Sequence, residues 1–121
     1  MTRPNWDEYF RDIAKAVAAR STCPRASVGA VIARDNRIIS TGYNGSLAGE
    51  PHCTEAGCII KDGHCQRVVH AETNAIAGAA KFGLAVDGAT LYLWSDIKIP
   101  ACHRCSQAIK AAGIVRVVEE S

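Results

Sequence analysis

Trp6, Phe10, Ile13 and Val17 recur at intervals of four, three and four residues among charged neighbours. That period predicts an amphipathic helix with this face in the core. Asn5 is placed to cap it and Glu8 to complete a capping box. The helix should end near Arg20, before Ser21-Thr22-Cys23-Pro24. The pattern then changes. Ser27 to Ala33 reads as a buried strand, Asp35-Asn36-Arg37 as a turn and Arg37 to Tyr43 as a second strand, together a hairpin. Gly42-Tyr43-Asn44-Gly45-Ser46 follows as a tight turn. Residues 47–69 are expected to form a long loop. A small-residue helix is predicted from Val69 to about Lys81, ended by Gly83. Thr90 to Trp94 is a third strand, Ser95 to Pro100 a loop, and Ala101 to Ala112 a helix with Gly113 just past its cap. Ile114 to Val118 is a fourth strand.

The order α-β-β-α-β-α-β belongs to an α/β fold, in which strands three and four become parallel neighbours. Ligands of open α/β sheets usually bind where strand ends meet helix N-termini. At 121 residues, the whole chain, 1–121, is expected to be one domain with a single modest core. A hydrophobic share of 48 % with 21 % charged residues is globular. A formal charge of +2 with no basic stripe argues against a nucleic-acid binder. No apolar run approaches a membrane span, and the start lacks the apolar stretch of a signal peptide. A reducing, cytoplasmic location is therefore expected, and the six cysteines read better as metal ligands than as disulfides.

The chemistry concentrates in His70-Ala71-Glu72 and Cys102-His103-Arg104-Cys105, with Pro100 ahead of the second group. H-x-E followed by P-C-x-x-C is the signature of zinc deaminases. One imidazole and two thiolates give zinc three ligands and leave a fourth position for water. The ion then lowers the pKa of that water towards neutrality. Cys102 and Cys105 would share a helix face. Glu72 is not a ligand, and it reaches the same site as His70 if both lie in the first helical turn, where the dipole also favours thiolate. Plainer readings of these residues are a structural zinc site with an incidental Glu, or a redox cysteine pair.

The loop over 47–69 carries Cys53, Cys58, His64 and Cys65, and Cys23 precedes the first strand. A loop of this length inside a domain is usually functional or held by something. A second, closed zinc site formed by Cys23, Cys53, Cys58 and Cys65 is expected, with His64 able to replace Cys23 or Cys58; ordinary free thiols are the alternative. Gly29 reads as a weak strand residue or a place where a ligand approaches the backbone. Asn44 reads as a turn residue or one that faces a ligand.

These residues, with Arg20-Ser21-Thr22-Cys23-Pro24-Arg25, Val28-Gly29-Ala30-Val31-Ile32, Gly42-Tyr43-Asn44-Gly45-Ser46, His52-Cys53, Gly57-Cys58, Gly63-His64-Cys65, His70-Ala71-Glu72-Thr73-Asn74-Ala75-Ile76 and Ala112-Gly113-Ile114, resemble the deoxycytidylate (dCMP) deaminases of the cytidine deaminase superfamily, above all the bacterial competence-operon type. The resemblance covers nearly the whole chain. It implies a three-layer cytidine-deaminase-like fold, with helices on both faces of a mixed sheet of four or five strands. It implies hydrolysis of a cytosine nucleotide, most readily dCMP, to the uracil nucleotide and ammonia. His70, Cys102 and Cys105 would hold the catalytic zinc. Glu72 would shuttle protons from the zinc-bound water to ring N3 and the leaving amine while the hydroxide attacks C4. Gly29 and Ala30 would line the base pocket, the Ala71 amide would hold the 2-keto group and Asn44 the sugar hydroxyl. A second zinc, a nucleoside triphosphate effector and a homo-oligomer are further expectations of the family.

Two departures stand out. The family runs T-x-Y-V-T-x-x-P-C-x-x-C, whereas here Thr90-Leu91-Tyr92-Leu93-Trp94-Ser95-Asp96-Ile97-Lys98-Ile99-Pro100-Ala101-Cys102 makes the loop about four residues longer. Asp96 and Lys98 are new polar groups in it, in a specificity loop or in a surface bulge. The family also continues past the fourth strand with a further helix and strand, so the edge Ile114 to Val118 should be bare or covered by a partner subunit. Three functions compete: a dCMP deaminase, the same chemistry on another amine (a nucleoside, another heterocycle or a nucleic-acid base), and a catalytically silent zinc-binding subunit. The retained Glu72 speaks against the last.

Overall fold

The computed structural model describes residues 2–23, 26–46, 60–61, 64–65, 68–97 and 103–120, with the backbone alone at 46, 60–61, 64–65, 68–69, 103–105 and 120. Helix α1 spans Trp6–Ala18, and its first turn is capped as the sequence predicts: Glu8 N donates to Asn5 Oδ1 at 2.9 Å. Its end is two residues earlier than expected, the chain continuing to Ser21 in tight turns such as Ser21 N to Ala18 O at 3.0 Å. The buried row is Phe10, Ala14 and Ala18, with Ile13 and Val17 half-buried beside it. Trp6 corrects the predicted core face. It is 53 % exposed, and its ring stacks on Phe10 at 5.8 Å, covering that side chain from outside.

Strand β1 (Val28–Arg34) and strand β2 (Arg37–Tyr43) form the predicted hairpin. Asp35 and Asn36 turn it with φ of 54° and 60°, the pair of left-handed residues that lets a two-residue turn match the strand twist. Ile32 pairs with Ser40 and Ala33 with Ile38, so Ile39 is an extra residue in β2. The expected long loop is corrected. It contains short ladders in which β3 (Gly45–Ser46) pairs with β6 (Val68–Val69), and β4 (Ile60–Lys61) with β5 (His64–Cys65). Two-residue pairs are too short to print a period on the sequence. Because Val69 is used in a ladder, helix α2 begins later than predicted, at Ala71, and runs to Lys81.

Strand β7 (Thr90–Ser95), helix α3 (His103–Ala111) and strand β8 (Arg116–Glu120) complete the chain. The main sheet has four strands in the order β2-β1-β7-β8; β1 is antiparallel to both neighbours and β7 is parallel to β8. The fold is therefore the mixed α/β sheet expected, in its four-stranded form. β8 starts two residues later than predicted. Gly113, at φ 90°, ends α3, and Ile114 N reaches back to Ile109 O at 3.3 Å. Ile114 is thus spent as the buried contact of a helix end.

The layers follow from strand alternation. Ala30, Ile32 and Leu91 pack with Ala71, Ala75 and Ala79 of α2 and Ile109 of α3. Val31, Ala33 and Tyr92 pack with Phe10 and Ala14 of α1 on the other face. A glycine seats a helix on each face. A Cβ at Gly42 would lie 2.5 Å from Ala75 N and 2.6 Å from Ala71 O, and one at Gly29 would overlap Ala14 O. Ser40 Oγ donates to Ala75 O at 2.7 Å and Asn74 Nδ2 to Tyr43 O at 2.8 Å, tying α2 to β2. Val115 and Val117 remain exposed on and beside β8. No helix among the described residues is long and apolar enough to cross a membrane.

Asp7 joins α1 to the far edge of the sheet. It accepts from Arg116 Nη2 at 2.6 Å and Nη1 at 3.0 Å, and from the Tyr92 hydroxyl at 2.9 Å. Arg116, then Tyr92, hold its carboxyl below the usual carboxylate range, while burial and then Asp7 push the Tyr92 phenol up. A carboxyl lowered by folding stabilises the fold above its unfolded pKa, and that contribution disappears as pH falls through the folded value. Asp7→Asn should therefore lower Tm by a few degrees at most near neutrality, because the pair is solvent-exposed. The difference from wild type should shrink as pH falls below the usual carboxylate range and through the lowered pKa of Asp7. Melting curves across pH check this; a difference that persists in acid would assign the effect to packing.

Candidate active site

The start of β1 lies beside the ends of β2 and β7, and the close approach at Gly42 and the bond from Asn74 bring the start of α2 to that same end of the sheet. α3, which lies between β7 and the parallel strand β8 in the chain, packs beside α2. The residues predicted to carry chemistry sit on these termini. His70 is the N-cap of α2, with extended backbone at φ −68° and ψ 152°, and its imidazole makes no capping bond to the helix. Ala71 is the first helical residue and is buried; Glu72 is the second and is half-buried. The expectation that His70 and Glu72 share the first turn is thus corrected by one position. The correction removes a geometric objection, since two helical residues two apart would diverge, whereas a cap residue is not bound to the helical period.

α3 begins at His103, so Cys105 is its third residue, in the turn where amide dipoles favour a thiolate. Cys102, Cys53 and Cys58 lie outside the described residues, as do the side chains of Cys65 and His64, whose backbones form β5. Cys23 is half-buried with a free thiol, its N–H donating to Ser21 Oγ at 3.2 Å. Among the described residues no three His, Cys, Asp or Glu side chains assemble around one point. The donor types nevertheless suit zinc: an imidazole at one helix cap and a cysteine in another helix's first turn.

The residues expected on the substrate side lie on β1 and just past β2. Ala30 is buried on the α2 face of β1. On the side where a Cβ would point, Gly29 meets the backbone of α1, so a helix makes a close approach there. Asn44 is 7 % exposed and heavily engaged. Its Oδ1 accepts from Val28 N at 2.9 Å, its Nδ2 donates to Ala26 O at 2.8 Å, and its carbonyl accepts from Ser21 Oγ at 2.9 Å. The carboxamide has one hydrogen and one lone pair beyond these two side-chain bonds.

Asp96, noticed in the sequence only as a new loop residue, closes the other side of the same segment. Ser27 N donates to its Oδ1 at 2.9 Å, and its own N–H to Ser27 O at 3.1 Å. Ser21 and Ser27 carried no sequence signal for these contacts. Among the described residues Thr22 Oγ1 is buried without a hydrogen-bond partner, beside the position a Cβ on Gly45 would take. A groove of about 330 Å³ between Trp6, Asp7, Arg34, Tyr92 and Arg116 lies at the opposite end of the sheet, and none of the predicted site residues lines it.

The family model described as the cytidine and deoxycytidylate deaminase zinc-binding region matches residues 4–120. The chain belongs to this deaminase family. It is 43 % identical to the deoxycytidylate deaminase of Mycobacterium phage D29, covering 98 % of this chain and 96 % of that one. It is 48 % identical to ComE operon protein 2 of Bacillus subtilis over 97 % of this chain, but spans only 60 % of that relative's length. A crystal structure of the dCMP deaminase of cyanophage S-TIM5 in complex with dCMP and dUMP superposes with a TM-score of 0.80 at 29 % identity, covering all of this chain and 86 % of that one. The fold is that of a cytidine deaminase, and the matched region is a zinc-binding one.

Asn44→Ala should destabilise the deaminase by about 1–3 kcal/mol, because it leaves the Val28 N–H and the Ala26 carbonyl without their partner. Urea denaturation of the purified variant measures this. An unchanged midpoint would mean that water replaces the carboxamide without loss.

Proposed function

We propose that this chain is a single-domain, zinc-dependent dCMP deaminase, converting dCMP and water to dUMP and ammonia. One observation carries the reading. His70-Ala71-Glu72 opens α2, and Cys105 lies in the first turn of α3 packed beside it, in a chain that matches a phage deoxycytidylate deaminase nearly end to end. His70, Cys102 and Cys105 would hold the zinc. When bound there, the ion would act as a Lewis acid and bring the pKa of a water towards neutrality.

The protein's own groups do the rest in this reading. Glu72 takes a proton from the attacking water and gives it to ring N3, then takes the second from the new C4 hydroxyl and delivers it to the departing amine. The Ala71 N–H, at the first helical position, has no intrahelical acceptor and is available to the 2-keto oxygen. Ala30 borders the base and Asn44 uses its remaining polarity on the sugar hydroxyl. A second zinc on Cys23, Cys53, Cys58 and Cys65 would hold the segment between β3 and α2. The thiol inventory suits the reducing cytoplasm, and a homo-oligomer with a triphosphate effector completes the reading.

Ammonia release across dCMP, CMP, dCTP, cytidine and deoxycytidine tests it. Turnover of dCMP should fall by ~10²–10⁴-fold in Glu72→Ala, the range of general acid–base catalysis, while metal content stays at the wild-type level. Turnover of another amine in preference would shift the substrate, and silence of zinc-loaded protein on every amine would sink the enzyme reading. Elemental analysis should find two zinc ions per chain. A single ion would remove the second site.

A further inference from the structure

We infer that Asp96 is a positioning residue for substrate binding, acting on Asn44 across the lead-in to β1. The β1–β7 ladder ends at Val28 and Ser95. One step beyond, Asp96 grips both backbone groups of Ser27, at 2.9 and 3.1 Å. From the β2 side Asn44 grips both backbone groups of Val28, Oδ1 at 2.9 Å from its N–H and N–H at 3.2 Å from its carbonyl, and holds Ala26 O as well. Residues 26–28 are therefore clamped between two side chains from opposite neighbours in the sheet. Ser95 fixes the presentation of Asp96: its Oγ donates to Ile97 O at 2.6 Å and accepts from Ile97 N at 3.3 Å, turning the chain just past the carboxylate.

The consequence is directional. Asn44 can aim its remaining hydrogen and lone pair only as well as residues 26–28 hold still, because both of its amide atoms are tied to them. Removing the Asp96 carboxylate frees the Ser27 N–H and loosens that segment from the β7 side. The loss should appear in how the sugar is held, with the proton chemistry of Glu72 unchanged. This rests on the reading of Asn44 as the contact to the sugar hydroxyl.

The experiment is steady-state kinetics of the zinc-loaded full chain on dCMP and on its 3′-deoxy analogue. The analogue lacks the hydroxyl at issue. In the wild type the analogue should show a KM roughly 2- to 10-fold higher, the worth of one hydrogen bond. Asp96→Ala should raise the KM of dCMP by a similar factor, leave kcat within about twofold, and bring the two KM values together. Asp96→Asn keeps an acceptor at the same place and should restore the wild-type pattern. Asp96→Ala raising both KM values equally, lowering kcat instead, or being matched by Asp96→Asn would overturn the positioning role while leaving Asn44 as the contact. Equal KM values in the wild type would overturn the Asn44 reading and this inference with it. Absence of dCMP turnover in the wild type would strike earlier, at the proposed activity.

Discussion

The placement of the candidate site depends on the contact between the backbone of α2 and Gly42. No side chain of any size fits between them, since even a Cβ would meet main-chain atoms of Ala71 and Ala75 at about van der Waals overlap. The helix presents Ala71, Ala75 and Ala79 to the sheet, which lets its axis sit low over the strands. Ser40 and Asn74 then lock the seat with bonds to main-chain carbonyls. The result is that the N-terminus of α2 is located by backbone against backbone. His70 and Glu72 inherit that location. Side-chain packing alone would leave a helix free to slide, and a site tolerates displacements of only about 0.5 Å.

The opposite face solves the same problem in the same way. Gly29 admits the backbone of α1 at Ala14 and Ala18, so the sheet is gripped from both sides near the end where the site lies. β1 can serve both helices because alternate residues face alternate layers: Ala30 and Ile32 go to α2, Val31 and Ala33 to α1. Small residues dominate these contacts, so the area each one buries is modest. The stabilisation comes from continuity of packing, which is why adding volume at Gly42 or Gly29 is the damaging change.

Legibility in the sequence followed the range of the signal. Features written within four residues were readable: the Asn5 cap, the Asp35-Asn36 turn, and the helix-ending Gly83 and Gly113. The candidate site is proposed from the sequence because H-x-E and C-x-x-C are short and chemically demanding, and because the surrounding motifs resemble one family. What failed depended on distant partners. Trp6 has the right period for burial, but it stacks outside Phe10. Ile114 looks like the start of a strand and is spent on the end of α3. The glycine at 29 advertised a close approach truthfully, but nothing local says whether a ligand or a helix makes it. Asn44 looked like a turn residue with a polar side chain to spare, and only the fold reveals that most of it is committed to residues 26–28.

β7 connects the two ends of the molecule, and its two ends are held by different physics. At its start Tyr92 bonds to Asp7, which also carries Arg116, in a solvent-exposed cluster that salt and acid can weaken. At its end Ser95 and Asp96 bond to main chain, with neutral N–H and C=O groups as partners. Bonds of that kind depend little on counter-ions and fix a direction as well as a distance. The division places the screenable electrostatics far from the candidate site and the directional bonds beside it. A deaminase needs this order of things, because its proton carrier must stay aligned with one ring nitrogen and one departing amine while charge moves between them.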